Sequence, residues 1–523
     1  MKKLLAIILT LITVFSATAC TTTVKPPDDD DDALYTLNVG FYQGGLKDQY
    51  MNEIIALYEA ANPDVNVKLK PGKGEYTDGN LLTQISSNEM DLYVLDSNTY
   101  STFYQSGHLE DITTEVTEKI FDNDGNLVSS GATKSIEDTM WKDFSDSFKT
   151  SEGKYYAIPN YTSIPGIIYD ADLFEDEGYE VPETYPEFFE LMETMVGDGY
   201  TPFVFSTLDY IILSGLESFV AMYEGYNDYN LRGTFNGQHS DENIGDINLQ
   251  TAYKLQQSEG KKAALQFAYD LAHNSTFVTQ NTRNGLDNTN AQKQFVSSLT
   301  QQKSSSNPRP RTAMFIEHSY WEREVDTTFD QMSEFNSQHG YGKRNFKYMK
   351  APKMVGVEGI KDSANTKDTV LAVSGGWVAV SSYSKQKDLA KDFLQFMQSR
   401  ECLAKYIMYA GCLRPYDFKL TEQEEKICTP YALSLYELLT DENVEFVTNN
   451  GRNEYSSKQG TEFAYDWSFQ TEALTTDGIG GQTITGRKAF NIFLQYPKMT
   501  VKQYFDGYAS YWNAKRWGDM LSR

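Results

Sequence analysis

Hydrophobic residues follow two alternating spacings along the chain from Leu34 onward. Tyr35–Phe41 alternates with the period of two that is typical of a strand, and Asp48–Ala61 has apolar residues at the spacing of one helix face. Asn62-Pro63 ends that predicted helix, and Val65–Leu69 alternates again as a second strand. The pattern therefore predicts a strand–helix–strand unit at the start of the folded chain.

A second unit of the same kind follows directly. A helix is predicted near Asn80–Ser87, and the compact apolar run Leu92–Leu95 predicts the next strand. This repetition predicts an α/β fold with a mostly parallel sheet and helices on both of its faces. Because ligands of such sheets bind beyond the carboxyl ends of the strands, Tyr42–Gly45 and Asp96–Tyr100 are candidate ligand-binding segments.

The segment Tyr155–Phe174 has a different pattern. Two short β-type runs, Tyr155–Ile158 and Gly166–Tyr169, are separated by a polar bridge with a proline at each end. Pro159 and Pro165 fix φ and lack a backbone N–H, so they favour an extended connector. We expect the chain to leave one lobe and enter another here, with a ligand bound beside this hinge and released unaltered.

The length of the chain indicates how many lobes it forms, and its net charge indicates which partners are excluded. A chain of 523 residues exceeds what one hydrophobic core usually supports, so two or more lobes are expected. There are 46 Lys and Arg against 73 Asp and Glu, which gives a formal net charge of −27. Such an acidic body repels phosphate backbones, so nucleic acid is not an expected partner.

The first twenty residues have the pattern of an export signal. Lys2-Lys3 forms a positive start, Leu4–Phe15 is apolar, and small residues at Ala17 and Ala19 precede Cys20. This ending resembles the lipobox of bacterial lipoproteins, in which Cys20 becomes the lipidated N-terminus, although leucine is more usual where Ala17 stands. The alternatives are an ordinary secretory signal or a membrane helix, for which the apolar run is short of the about 20 residues needed.

Residues 21–33 predict an acidic disordered tether. Pro26-Pro27 does not favour a folded element, and the like charges of the five aspartates Asp28–Asp32 repel one another. The predicted location is therefore extracytoplasmic. The protein would be lipid-anchored to the outer face of the cytoplasmic membrane, which is the cell surface in a single-membrane bacterium.

Several segments resemble, in order, the extracellular solute-binding proteins (family 1) of carbohydrate ABC importers, the branch related to maltose-binding protein. The similarity spans about Leu34 to Arg414. The matching segments are Leu37–Val39, Asn62–Val67, Asp91–Asp96, Gly153–Pro159, Ile168–Phe174, Pro182–Phe188, Ala313–Phe315 with Trp321, Gly375–Val380 and Lys387–Ser399.

The resemblance implies a two-lobed, periplasmic-binding-protein-like fold of type II, with mixed, mostly parallel sheets flanked by helices. Three hinge crossings would join the lobes. Leu34–Asn160 and Glu317–Val373 would form lobe 1, and Tyr161–Ile316 and Ser374–Arg523 would form lobe 2. Asn281–Pro310, rich in Asn, Gln and Ser, is predicted to be loop or insertion.

The resemblance also implies the function and the partners. The protein would capture a carbohydrate, expected to be an oligosaccharide, in an inter-lobe cleft and deliver it to ABC transporter permease subunits. It would act as a monomer, without a cofactor, held at the membrane by its N-terminal lipid. The alternatives are a surface-anchored glycoside hydrolase and a binding or sensor lipoprotein without a transporter.

A sugar site needs aromatic faces for C–H surfaces and charged or amide groups for hydroxyls. The candidate ligand-binding residues are Tyr42, Gln43, Asp96, Asn98, Asn160, Tyr161, Glu317, Trp321, Trp377, Arg414 and Trp467. Trp321 and Trp377 are equally compatible with core packing at the hinge. Asp96 is equally compatible with a helix cap, and Arg414 with an exposed surface arginine.

Enzyme and metal signatures are missing from the sequence. There is no Gly-x-Ser-x-Gly, His-Glu-x-x-His or phosphate-binding Gly-rich motif, and the five histidines have no metal-ligand spacing. Asp122–Asn126 resembles part of a calcium loop but lacks the later acidic ligand, so a turn is predicted. Cys402, Cys412 and Cys428 have no zinc spacing, and either a Cys402–Cys412 bridge or buried free thiols fit. The sequence thus predicts a binding protein rather than an enzyme, with no metal.

Overall fold

The computed structural model describes residues 34–72, 78–87, 89–95, 101–150, 152–207, 252–301, 311–447, 489–511 and 513–521. Cys20 and the predicted tether lie outside these residues. The strands in chain order are β1 (Tyr35–Tyr42), β2 (Val65–Gly72), β3 (Leu92–Leu95), β4 (Ile158–Pro159), β5 (Thr162–Ser163), β6 (Gly166–Asp170), β7 (Thr201–Phe205), β8 (Thr312–Glu317), β9 (Phe346–Met349), β10 (Asp368–Leu371), β11 (Val373–Ser374), β12 (Trp377–Val380) and β13 (Val444–Val447).

The described helices up to residue 297 are α1 (Gln49–Ala61), α2 (Asp78–Ser86), α3 (Ser101–Gln105), α4 (Thr113–Thr117), α5 (Ile136–Thr139), α6 (Lys142–Phe148), α7 (Ala171–Glu177), α8 (Tyr185–Gly197), α9 (Glu259–His273), α10 (Gln280–Gly285) and α11 (Asn288–Ser297). The later helices are α12 (Trp321–Glu324), α13 (Asp326–Ser333), α14 (Lys387–Phe396), α15 (Arg400–Ala410), α16 (Glu422–Glu425), α17 (Pro430–Thr440), α18 (Ala489–Gln495), α19 (Val501–Tyr511) and α20 (Ala514–Leu521).

The described chain divides into two compact units. Residues 34–162 and 374–428 form unit 1, and residues 163–373 with the described residues after 428 form unit 2. We call the points where the chain passes between the units crossings. The first crossing is Thr162–Ser163, the second is Val373–Ser374 and the third is Cys428–Thr429.

Unit 1 is built on a five-stranded sheet in the order β2-β1-β3-β12-β4. β1 is parallel to β2 and β3, with Val39 opposite both Leu69 and Leu92. β12 returns antiparallel to β3 and β4. The predicted apolar face of α1 is buried, and its Tyr58 ring meets the rings of Phe393 and Phe396 edge-on. The opening strand–helix–strand prediction is confirmed.

Unit 2 is built on a four-stranded sheet in the order β7-β8-β6-β9. β7 is parallel to β8, whereas β6 is antiparallel to both of its neighbours. One part of its core is a cluster of rings around Trp321, which contacts Phe295, Phe315 and Phe346 at centroid distances of 5.3–5.7 Å. Aromatic rings therefore form a large part of this described core.

The predicted mixed α/β architecture is confirmed, but the sheets are less parallel than the sequence predicts. In unit 1 β1 makes parallel pairs and β12 makes antiparallel ones. In the four-stranded sheet of unit 2, two of the three pairs are antiparallel, while β10 and β13 form a separate parallel pair. The prediction followed the local strand–helix–strand repeat. It did not include strands such as β12 and β9, which join a sheet from far along the chain.

The predicted lobe boundaries are wrong in two places. Glu317–Val373 was assigned to lobe 1, yet β9 pairs with β6 in the sheet of unit 2. Residues 374–428 were assigned to lobe 2, yet β12 pairs with β3 in unit 1. The position after Ile316 is therefore not a crossing. The first boundary, predicted after Asn160, falls two residues later.

Three local predictions can be compared with the structure. Asp122 and Asn126 form the predicted turn: the Asp122 N–H donates to the Asn126 carbonyl at 3.0 Å. The three cysteines after residue 400 are buried free thiols rather than a bridged pair. The predicted loop Asn281–Pro310 is instead helical over α10 and α11, because Ala291, Phe295 and Val296 supply a buried helix face.

Candidate functional site

The carboxyl end of β1 is at the sheet edge where the sequence predicts ligand contacts. Tyr42 and Gln43 are both half-buried there. The Tyr42 ring lies over the backbone of Gly44, since a Cβ at residue 44 would be 2.6 Å from Tyr42 Cε1, and Gly44 has a φ of +45°. Glycine thus permits both the turn and the close approach of the ring. Asp96 and Asn98, predicted at the end of β3, lie outside the described residues.

Asn160 and Tyr161 are buried next to the first crossing, within unit 1. The Asn160 N–H donates to the Gly376 carbonyl at 3.1 Å, and the Gly375 N–H donates to the Tyr161 carbonyl at 2.9 Å. A Cβ on Gly375 would lie 2.1 Å from the Tyr161 ring, so this ring requires glycine opposite it. These contacts explain the Gly375-Gly376 pair and give Tyr161 a packing role.

Arg414 is 1% exposed and lies in unit 1. Its Nε donates to the Asn160 carbonyl, Nη2 to the Pro159 carbonyl at 3.3 Å, and Nη1 to the Met397 carbonyl at 3.2 Å. The alternative of an exposed surface arginine is wrong, because the side chain is buried, whereas the ligand contact stays a prediction. The guanidinium fixes the backbone that leads into the first crossing, which is a structural role.

Trp321 and Trp377 are core residues. Trp321 is fully buried in the ring cluster of unit 2, and Trp377 is buried in unit 1 against Phe103 at 5.8 Å. The sequence leaves open whether these two tryptophans bind ligand or pack in the core. Their burial favours core packing. Trp467 lies outside the described residues.

In unit 2 the candidate Glu317 is the last residue of β8, so it also lies at the carboxyl end of a strand. Glu317 is buried there, and its carboxylate accepts the His318 N–H at 2.9 Å. Tyr320 is half-buried and its ring stacks on that of His318, with 5.8 Å between centroids and 13° between planes. Burial lowers the pKa of His318 to about 4, so this imidazole is neutral at physiological pH.

Three half-buried tyrosines were not predicted from the sequence. Tyr320 stands beside Trp321, which was chosen instead because tryptophan is rarer in this chain. Tyr104 and Tyr156 are half-buried and stack in unit 1, 4.8 Å apart at 12°. Only their positions after β3 and before β4 could have indicated them as candidates. The chain has 36 tyrosines, so residue type gave little reason to choose these two.

The described residues contain neither a metal-binding cluster nor a membrane-spanning helix. There, no group of His, Cys, Asp and Glu side chains is arranged to hold a metal ion. Within the same part of the chain no helix is long and apolar enough to cross a membrane.

A family profile matches the sequence over most of its length. The profile describes bacterial extracellular solute-binding proteins, and it matches residues 44–401. This chain belongs to that family. No curated protein matches the chain.

Solved structures of other solute-binding proteins share the two-lobed fold. RafE in complex with raffinose is 16% identical, with a TM-score of 0.51 over 91% of this chain and 98% of RafE. Maltose-bound MalE3 of T. maritima is 16% identical, with a TM-score of 0.52 over 91% and 99%. A chitin oligosaccharide binding protein is 13% identical, with a TM-score of 0.54 over 94% and 100%. At these identities the likeness is one of fold.

We expect Arg414→Met to destabilise this solute-binding protein by roughly 2–4 kcal/mol, because buried carbonyls lose their donors. Urea denaturation followed by tryptophan fluorescence measures the change. Lys385→Met, at an exposed position, is the control and should leave the transition in place. A change below about 0.5 kcal/mol for Arg414→Met, as at ordinary surface positions, would contradict the structural role.

Proposed function

We propose that this protein is the substrate-binding component of a carbohydrate ABC importer. It captures an oligosaccharide in a cleft between its lobes and delivers it unaltered to the permease subunits, acting as a monomer. The observation that supports this most is the family match over residues 44–401. The solved relatives with raffinose and maltose support the class of ligand.

Two sheet edges supply the side chains that we assign to the ligand. In unit 1 these are Tyr42 and Gln43 at the end of β1, and in unit 2 they are Glu317 and Tyr320 at and after the end of β8. Tyrosine rings suit the apolar faces of a sugar, whereas amide and carboxylate groups suit its hydroxyls. Asp96, Asn98 and Trp467 stay in the proposed set on the sequence argument alone.

A carbohydrate ligand should raise the thermal midpoint without being consumed. A ligand that binds the native state only adds about 2.7 kcal/mol at a concentration of 100 Kd. We expect at least one member of a panel with raffinose, maltose and chitin oligosaccharides to give a shift, with binding confirmed by calorimetry. The same sample should release no reducing ends on long incubation.

The two tyrosines at opposite ends of β1 provide a matched pair for this experiment. Tyr42→Ala should weaken binding, whereas Tyr35→Ala, at the exposed amino end of the strand, should not. Release of reducing ends would indicate the hydrolase alternative. If the two substitutions changed the affinity equally, Tyr42 would not be a ligand-binding residue.

We also propose that Cys20 is lipidated and anchors the protein to the outer face of the cytoplasmic membrane. Mass spectrometry of the membrane fraction should find Cys20 as a diacylglyceryl-modified N-terminus, and Cys20→Ala should move the protein to the soluble extracytoplasmic fraction. An unmodified mature N-terminus elsewhere would contradict the anchor.

A further inference from the structure

The residues directly after β8 contact the chain beside two different crossings. We call Glu317–Glu322, which begins at the last residue of β8, the post-β8 segment. The sequence predicts a crossing at its start, but the whole segment lies within unit 2. Its side chains hydrogen bond to the residues of unit 2 that immediately follow the first and the third crossing. Glu317 and Tyr320 of this segment are among the side chains that we assign to the ligand, whereas the contacts beside the crossings are made by His318, Ser319 and Glu322.

The contact beside the first crossing is made by His318 and Ser319. The Ser163 hydroxyl hydrogen bonds to His318 Nδ1, and the Ile164 N–H donates to Ser319 Oγ at 3.1 Å. Ser163 is the first residue of unit 2 after this crossing. All four residues are buried, so water does not compete for these hydrogen bonds and they hold the chain closely.

The contact beside the third crossing is made by Glu322. The Thr429 hydroxyl donates to Glu322 Oε2 at 2.7 Å, and the same hydroxyl accepts the Ala432 N–H at 3.1 Å as the N-cap of α17. Thr429 is the first residue of unit 2 after this crossing. The neighbouring rings of Trp321 and Tyr431 pack edge-on at 5.7 Å.

Gly342 lies next to the contact between Glu322 and Thr429. The backbone N–H of Gly342 acts to lower the pKa of the Glu322 carboxyl. Gly342 has a φ of +64°, and a Cβ there would lie 2.9 Å from Thr429 Cγ2. Glu322 is 2% exposed. A buried carboxylate adds little to stability compared with an apolar side chain of similar volume, whereas its directional contacts define where Thr429 lies.

We infer that the post-β8 segment is a shared anchor for two crossings, and that Ser319 and Glu322 act as positioning residues for ligand binding. The inference for binding rests on the proposed function. In a protein whose two lobes both contact the ligand, affinity depends on the relative populations of its conformations. Residues that fix the ends of the crossings affect those populations without contacting the ligand.

Because Glu322 titrates, its effect on ligand binding should depend on pH. A side chain that only packed in the core would give no such pH dependence. Burial raises the pKa of Glu322 to about 7, and the positive charge of Arg323 opposes the rise. The titratable side chains beside Thr429 are Cys428, whose pKa burial raises to about 12, and Tyr431. Because the folded pKa lies above the unfolded value of 4.5, the carboxyl stabilises the fold most below pH 4.5, and this is lost as pH rises through about 7.

The test measures two quantities in the full chain: amide hydrogen exchange without ligand, and Kd for a carbohydrate that the wild type binds. Glu322→Ala should speed exchange at Ala432 and also at Ile164, beside the other crossing. It should raise Kd roughly three- to thirtyfold. Glu322→Gln keeps an acceptor for Thr429, so it should restore both quantities at pH 7 and remove the pH dependence of Kd between pH 5 and 8.

Two variants serve as controls. Glu358→Ala, at an exposed position of unit 2, should change neither quantity. Thr429→Val removes the same hydrogen bond by deleting its donor. It is the substitute variant if Glu322→Ala does not fold. Faster exchange at Ala432 with unchanged exchange at Ile164 would overturn the shared anchor. A lower thermal midpoint with unchanged Kd would overturn the positioning role. If the wild type binds no carbohydrate, the proposed function fails, and the exchange data alone decide the shared anchor.

Discussion

The backbone at the first crossing is held by hydrogen bonds on both of its sides, and the account of this protein depends on that constraint. On the unit 1 side the Arg414 guanidinium binds the carbonyls of Pro159 and Asn160. The Thr162 N–H donates to the Leu413 carbonyl at 3.1 Å. On the unit 2 side, Ser163 and Ile164 bond to His318 and Ser319. Buried backbone groups must find such partners, and here each unit supplies its own.

This arrangement explains why so many polar side chains near the crossings are buried. Arg414, Glu322 and His318 would be costly to bury without partners, and each is hydrogen bonded to a residue next to a crossing. The large aromatic rings perform a different task. Trp321 and Trp377 fill the cores behind the sheet edges, whereas smaller side chains such as Tyr42 and Gln43 lie half-buried at an edge itself.

Much of the fold could be predicted from sequence because it depends on local patterns. The period of the apolar residues gives α1 and its flanking strands, and the prolines at Pro159 and Pro165 indicate the first crossing to within two residues. Assigning Glu317–Val373 to a unit required knowing that β9 pairs with β6, a contact across about 180 residues of chain. Periodicity contains no information on such pairs. Polar composition likewise obscured α11, whose buried face is short.

The candidate site was less predictable than the fold. Tyr42 and Gln43 follow from a general rule about strand ends, and the structure places them at such an end. Arg414 was chosen for its charge, but its role depends on carbonyls more than 250 residues earlier in the chain. Tryptophans were favoured for their rarity, although a large ring is as useful in a core as in a sugar site. Residue type alone does not separate these uses.

Site-resolved hydrogen exchange of the unliganded protein over residues 155–174 tests the central claim most directly. If the crossing is held on both sides, the amides of Asn160 and Thr162 should exchange as slowly as those in the interior of β6. Exchange at these two amides as fast as in the exposed turn at Gly356–Gly359 would contradict the account.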